Sequence, residues 1–439
     1  MHYEKFQDGT IKCIEDEIPF EVPEGWAWAR LRDICMMSAG KSKSTDQIKS
    51  EPFEESYPCF GGNGVRGYVD EYNQDGIFSI VGRQGALCGN INIAIGKFYA
   101  TEHAVVTTLF DGIDFKWSNY ILEALRLNNY ATGAAQPGLS VANILNVFVP
   151  VPPTQEQDRI GNNVYESLKI VEALEQEKID LQKIIITAKT KILDLAIRGK
   201  LVPQDPNDEP ASVLLERIRT EKEELIKQGK IKRDKKESVI FKGDDNSYYL
   251  RTGRVEESLE DWRFDDLPET WKICCLGELC DYGDCINVNT EDIAEDAWIL
   301  DLEDIEKDTG TVLKKVTKDQ RNSVSTKHKF HSGQVLYSKL RPYLNKVVLS
   351  DADGYCTSEI LPLEFKNCVL PEYARYYLMS GTFIAYANHC SYGVKMPRLG
   401  TTDGKKAIFS LPPLSEQKRI VETIDFCFVQ LNKISEALA

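Results

Sequence analysis

Residues 152–200 read PPTQEQDRIGNNVYESLKIVEALEQEKIDLQKIIITAKTKILDLAIRGK, and their spacing predicts one long helix. Pro152 and Pro153 close off what comes before. Thr154 with Gln157 three residues on has the form of a capping box. Apolar residues then recur at mixed three and four spacing, through Ile160, Val164, Leu168, Val171, Leu174, Leu181, Ile185, Ala188, Ile192 and Leu195. That is a single stripe of the kind found along a coiled-coil seam. Arg198 and Gly199 supply a basic last turn and a stop. At about 1.5 Å per residue the helix makes a rod of roughly 65 Å. A helix of that length either pairs with another or holds two bodies apart.

Its start recurs. Residues 152–160, PPTQEQDRI, return as PPLSEQKRI at 412–420. Upstream, Pro23-Glu24-Gly25-Trp26 with Leu31 returns as Pro268-Glu269-Thr270-Trp271 with Leu276; Tyr99 and Thr101 return as Tyr355 and Thr357, and Tyr3 as Tyr249. The chain therefore reads as two copies of one unit: a polar leading arm, a globular domain and a helix. The divisions fall at 1–151, 152–240, 241–411 and 412–439. The fold class expected is α+β, with two globular domains of twisted, mainly antiparallel sheet and short helices. An antiparallel pair of long coiled-coil-like helices would separate them, in a pseudo-twofold repeat. The closing helix, from near Ser415, is only about 25 residues, roughly 37 Å. Tyr3 matching Tyr249 puts Met1 inside the repeat unit. The expectation is one turn of a two-unit ring that lacks one connecting segment.

Within the first domain β-prone runs lie at 77–81, 90–95, 104–109 and 147–151, with a helical stretch at 119–128. In the second they lie at 298–302, 334–340, 346–349 and 407–411, with a helix at 372–380. Between the domains, Pro210 opens a second helix over 211–228, closed by Gly229. The basic run Lys230–Lys236 reads as a solvated link or as a contact to DNA or a subunit.

With 53 Lys and Arg against 68 Asp and Glu, the net charge of −15 argues against a protein that simply coats DNA. Phosphate binding needs only a local basic face, so partner subunits would supply much of the nonspecific affinity. The 439 residues leave room for two or three domains. No apolar run reaches the length of a membrane span, and the first residues do not form a signal peptide. Twelve cysteines without a disulfide framework fit a reduced, cytoplasmic protein.

Catalytic chemistry is sparse. Ala39-Gly40-Lys41-Ser42 mimics the end of a phosphate loop, but Cys35 stands where that loop needs Gly. The Asn/Asp-Pro-Pro-aromatic tetrapeptide of amino-methyltransferases is absent, and no glycine-rich cofactor loop follows a strand. Cys274, Cys275, Cys280 and Cys285, or His328 and His331, fit no structural zinc spacing. His103 beside Glu102, and His389 beside Cys390, lack a third catalytic partner. No catalytic residue, metal ligand or cofactor site is expected in this chain. What remains are polar loops on two sheets. In the first domain these carry Gly62, Asn63, Arg66, Tyr68, Arg83, Gln84 and Gln136. In the second they carry Lys339, Arg341, Tyr343, Asn345, Lys346, Lys395 and Arg398. Arg and Lys pair with guanine edges, Asn and Gln with adenine edges. The run Ser338–Lys346 is the densest such cluster.

Two domains that each open with PE-x-W and each end in PPxxEQxxI and a helix resemble the specificity subunit of type I restriction–modification enzymes. The central run LAIRGKLVPQ (195–204), Glu209-Pro210-Ala211-Ser212 through Ile231-Lys232, the Gly61–Gly64 segment and the Lys339–Lys346 segment extend the resemblance over nearly the whole chain. It implies a chain that is not an enzyme by itself. Each target recognition domain would read one half of a bipartite, asymmetric site in double-stranded DNA, and the helices would act as a ruler for the gap. It implies two methyltransferase subunits, carrying S-adenosylmethionine, docked on the helices around Glu156, Gln157, Ile160, Glu416, Gln417 and Ile420. Translocase–nuclease subunits using ATP and Mg would complete the restriction enzyme. An orphan or phase-variable chain acting only in methylation would look alike, and a coiled-coil scaffold without DNA is the third reading.

Overall fold

The computed structural model describes the chain except residues 1, 7, 86, 134–136, 231–237, 246, 260–266, 322–323 and 439. Gln136 and nearly all of the basic run Lys230–Lys236 thus lie outside the described residues. The structure divides into two compact units, Met1–Glu177 and Lys178–Ala439, and the division falls inside the long helix, Thr154–Ile197.

The first unit is organised by a six-stranded sheet in the order Cys35–Ala39, Ala104–Leu109, Gln74–Gly82, Ile91–Ala100, Tyr57–Gly61, Gly64–Val69. Every neighbouring pair is antiparallel except Ile91–Ala100 with Tyr57–Gly61. Side chains alternate between faces along a strand, and both faces are covered. Val81 pairs with Val105, and both join the cluster of Leu31, Trp117, Leu122, Ile144 and Val149. The next pair along, Ile80 and Val106, faces the other way, against Phe60 and Phe98. The helix Phe115–Ala124 supplies Trp117 and Leu122, and the Asp114 carboxylate caps it by accepting from Trp117 N at 2.8 Å.

The second unit contains the other domain. Its sheets are smaller: Ile286–Val288, Lys327–Phe330, Gly354–Thr357 and Ile299–Leu300 in one, Val347–Leu349, Val335–Ser338 and Ile360–Leu363 in another. The helices Pro371–Leu378 and Gly381–His389 pack on the three-stranded one. A three-stranded antiparallel hairpin sheet, Ser238–Lys242, Tyr248–Thr252 and Val255–Ser258, precedes this domain.

In both units the first and last strands of the domain pair with each other. Ala27–Arg30 runs antiparallel to Phe148–Val151, and Lys272–Cys275 to Ile408–Leu411. This closure brings each PE-x-W turn to the start of the helix that follows. Within the second unit the end of the long helix lies against the closing helix, Leu414–Ala437. Ser410 Oγ donates to Ile197 O at 2.8 Å, while Lys189 Nζ reaches Asn432 Oδ1 at 2.6 Å, so these segments run in opposite directions. Leu193, Ala196, Ile197, Ile420 and Ile424 are buried there with Trp271, Tyr373 and Phe409. Each fully buried aliphatic side chain of this kind adds about 1.5–3 kcal/mol.

Two expectations fail at the long helix. The capping box does not form: Thr154 Oγ1 donates to Gly112 O, and Gln157 is engaged elsewhere. The apolar seam is filled only at its ends. Leu168, Val171, Leu174 and Leu181 are exposed, whereas Ile185 is buried.

Candidate nucleic-acid interface

The repeated sequence motif is a latch. Trp26 Nε1 donates to Glu156 Oε2 at 3.1 Å, and Trp271 Nε1 to Glu416 Oε2 at 2.9 Å. The glutamine that follows does two jobs each time. Gln157 donates to Pro152 O and accepts from Asp114 N; Gln417 donates to Pro412 O and Cys368 O and accepts from Leu370 N. Asp114 and Leu370 are the N-cap residues of a helix in their own domain. Free N–H groups at a helix start need acceptors, and the glutamine provides one while tying down the proline pair. The six residues expected at a subunit contact are therefore largely turned inward. Gln157, Glu416, Gln417 and Ile420 are buried, and Ile160 packs on the first domain's core, because these side chains hold each helix to its own domain. Burial pushes the Glu416 carboxyl above its usual range, against the opposing hydrogen bonds from Gln204 and Trp271.

The polar loops are held by a second repeated device, made of backbone. In the first domain Arg83 N donates to His103 O at 2.9 Å, Gly85 N to Pro137 O at 3.0 Å, and Leu139 N to Arg83 O at 2.8 Å. In the second, Lys339 N donates to Glu359 O at 3.0 Å, Arg341 N to Pro397 O at 2.7 Å, and Leu399 N to Lys339 O at 3.0 Å. The three bonds match one for one. They clasp the loop after Gln74–Gly82 to the one around Pro137, and the loop after Val335–Ser338 to the one around Pro397. Left-handed backbone falls at the same places: Gly85 and Gly89 in one clasp, Arg341 and Asn345 in the other. Glycine takes that conformation freely. An arginine there costs of order 1–3 kcal/mol, which marks Arg341 as a site of functional interest.

The clasps sort the expected readers. In the first domain Asn63, Arg66 and Gln84 are exposed and Arg83 is half-buried. Asn63 Oδ1 accepts from Asn90 Nδ2, and Arg66 Nη2 donates to Thr45 Oγ1. Gly62 packs against the backbone oxygens of Gln84 and His103, where a Cβ would stand 3.3–3.4 Å away. Tyr68 is half-buried, and its backbone pairs with Lys49. Gly62, Asn63, Arg66 and Gln84, but not Arg83 or Tyr68, line a groove of about 610 Å³ whose wall also includes His103, a residue that the sequence offered only as a catalytic candidate.

In the second domain Tyr343 and Lys395 are exposed and Lys339 and Arg341 half-buried. The Nε of Arg341 is buried without a partner. Three expected readers are occupied by the fold. Arg398 grips Glu359, with Nη2 2.7 Å from Oε1 and Nε 3.1 Å from both oxygens. Asn345 is buried. Lys346 Nζ donates to Leu302 O at 2.6 Å, and burial holds its ammonium below the usual lysine range. Nothing in the spacing of these residues distinguishes them from free ones, because their partners are distant in sequence. The cysteines expected to be plain thiols include Cys274 and Cys280, where burial pushes both thiols up.

One domain used twice, each copy clasping a pair of polar loops and handing on to a helix, defines a duplicated recognition module. The chain belongs to the family of type I restriction modification DNA specificity domains, whose model matches residues 23–188 and again 268–437. It is 47% identical over 152 residues to the EcoprrI specificity subunit of Escherichia coli, a stretch covering 34% of this chain and 36% of that protein. It thus spans about a third of the length of that relative. To the EcoAI specificity subunit of Escherichia coli it is 25% identical over 510 aligned positions, covering 98% of this chain and 82% of that one. The HsdS subunit from Thermoanaerobacter tengcongensis shares the fold, with a TM-score of 0.53 at 15% identity over 96% of this chain and 94% of that one.

Proposed function

We propose that the chain reads a bipartite, asymmetric DNA site, one half with each clasped loop pair, and that it carries no catalytic step of its own. One observation carries this reading. The same backbone clasp is built twice and presents different side chains: Arg83 and Gln84 in one copy, Lys339, Arg341 and Tyr343 in the other. Two equal frames with unequal edges suit two unequal half-sites. Base edges in the major groove offer the donor and acceptor patterns that such side chains discriminate. The long helix joins the two and sets the gap between them.

Methyltransferase subunits bearing S-adenosylmethionine dock on the helices, two per chain, and flip the target adenine out of the duplex. The exposed Leu168, Val171 and Leu174 on the long helix, and Phe426 and Val429 on the closing helix, give that contact an apolar surface. Translocase–nuclease subunits, with ATP and Mg, complete the complex in the cytoplasm. Among the described residues no helix is long and apolar enough to cross a membrane. The test is single-molecule methylation mapping of DNA from cells that express the chain with its methyltransferase subunit. The expected result is a gapped, asymmetric motif methylated on adenine. A palindromic motif would mean that one domain is used twice, and no motif would refute DNA recognition.

A further inference from the structure

The two clasps differ at one corner. In the second domain the carbonyl of Glu359 closes the clasp and its carboxylate binds Arg398. Matching the hydrogen bonds puts His103 where Glu359 stands. Gly138, which bridges to Thr132, stands where Arg398 pairs with Tyr392. Among the described residues, the first domain therefore has no ion pair across this corner. The space opens instead into the groove bounded by the Gly62–Arg66 turn, Gln84 and Leu87. His103 stands half-buried in the groove wall: its Nε2 lies 3.5 Å from Glu102 Oε1, while its Nδ1 is buried without a partner. Gly61, Gly62 and Gly64 also line the groove, with Gly62 packed on the carbonyls of Gln84 and His103.

Building on the DNA-recognition reading, we propose that His103 and Gln84 are the specificity-determining pair of the first domain, reading a base edge that enters this groove. The matching corner of the second domain reads no base. There Glu359 and Arg398 brace the loop, and Lys339, Arg341 and Tyr343 do the reading. The imidazole nitrogen left to a ligand, Nε2, donates or accepts according to tautomer, and a Gln amide pairs bidentately with adenine. Together they can discriminate one or two adjacent base pairs.

The experiment uses the full chain expressed with its methyltransferase subunit, with adenine methylation mapped across the host DNA. Wild type should give a two-part motif. His103→Ala should blur one or two adjacent positions in one half, with about a ten-fold rise in methylation at sites carrying a wrong base there. The other half and the gap should not change. Glu359→Gln should lower methylation at every cognate site and leave the motif as it is. A His103→Ala motif identical to wild type, or an equal fall at all sites, overturns the assignment. If the alanine variant does not accumulate, His103→Gln replaces it, and it must change the preferred base in that half or the assignment fails. A Glu359→Gln motif blurred in its half overturns the bracing role. A wild-type chain that directs no motif overturns DNA recognition itself, an outcome distinct from a wild-type motif that ignores His103.

Discussion

At the scale of single residues, the latch carries the first measurable consequence. Glu416 is buried under Trp271 and Gln204, whereas Glu156 is only half-buried under Trp26. Removing an acceptor from a buried N–H costs about 1–3 kcal/mol. Glu416→Ala should therefore destabilise the chain by that amount in denaturant titration, and Glu156→Ala by less. The pH dependence has a definite sign. Because the folded carboxyl of Glu416 is raised, its contribution to stability is complete below the unfolded value of about 4.3. It is lost as pH rises through the folded value. Glu416→Gln should flatten that fall between acid and neutral pH. At the loops, Arg341→Ala should cost about 1–3 kcal/mol of discrimination in one half-site if it reads a base. Arg398→Ala and Glu359→Gln should instead lower binding to all sequences, and a double-mutant cycle should show the two coupled. The residue types in these loops were legible from sequence. Which of them the fold ties up was not, since Glu359 lies 39 positions from Arg398 and only the fold brings them together.

At the scale of elements, the long helix was legible because 3.6-residue periodicity accumulates over many turns: 152–200 was expected and Thr154–Ile197 is seen. The helix expected over 211–228 spans Ala211–Lys227. Strands of two to four residues, such as Ile286–Val288, are too short to show a period. The hairpin sheet from Ser238 to Ser258, with strands of only four or five residues, also went unread. The clasp left even less trace. Its bonds join backbone to backbone, which any residue can supply, and the left-handed Gly85 and Gly89 that go with it drew no reading from the sequence. A prediction belongs here. Deleting one heptad from the exposed stretch 165–184 should change the gap of the methylated motif and leave both half-sites readable. A change in half-site sequence would refute the ruler.

At the scale of the whole chain, the internal repeat decided the architecture, and it did so through four short motifs that the structure turns into two latches. Each copy closes its first strand onto its last before the helix begins, so a copy begins and ends at one place. Replacing residues 23–151 by the matching segment of a relative should therefore alter one half of the methylated motif and leave the other intact, as mapping would show. The backbone clasp bears on how such a protein changes over generations. Its frame makes no demand on the side chains it displays, apart from a few turn positions that favour glycine or asparagine. Mutations at Gln84, Lys339 or Tyr343 can thus accumulate without unfolding the loops that carry them. Were these loops to read DNA as proposed, a lineage could revise what it recognises one side chain at a time, keeping a working scaffold at every step.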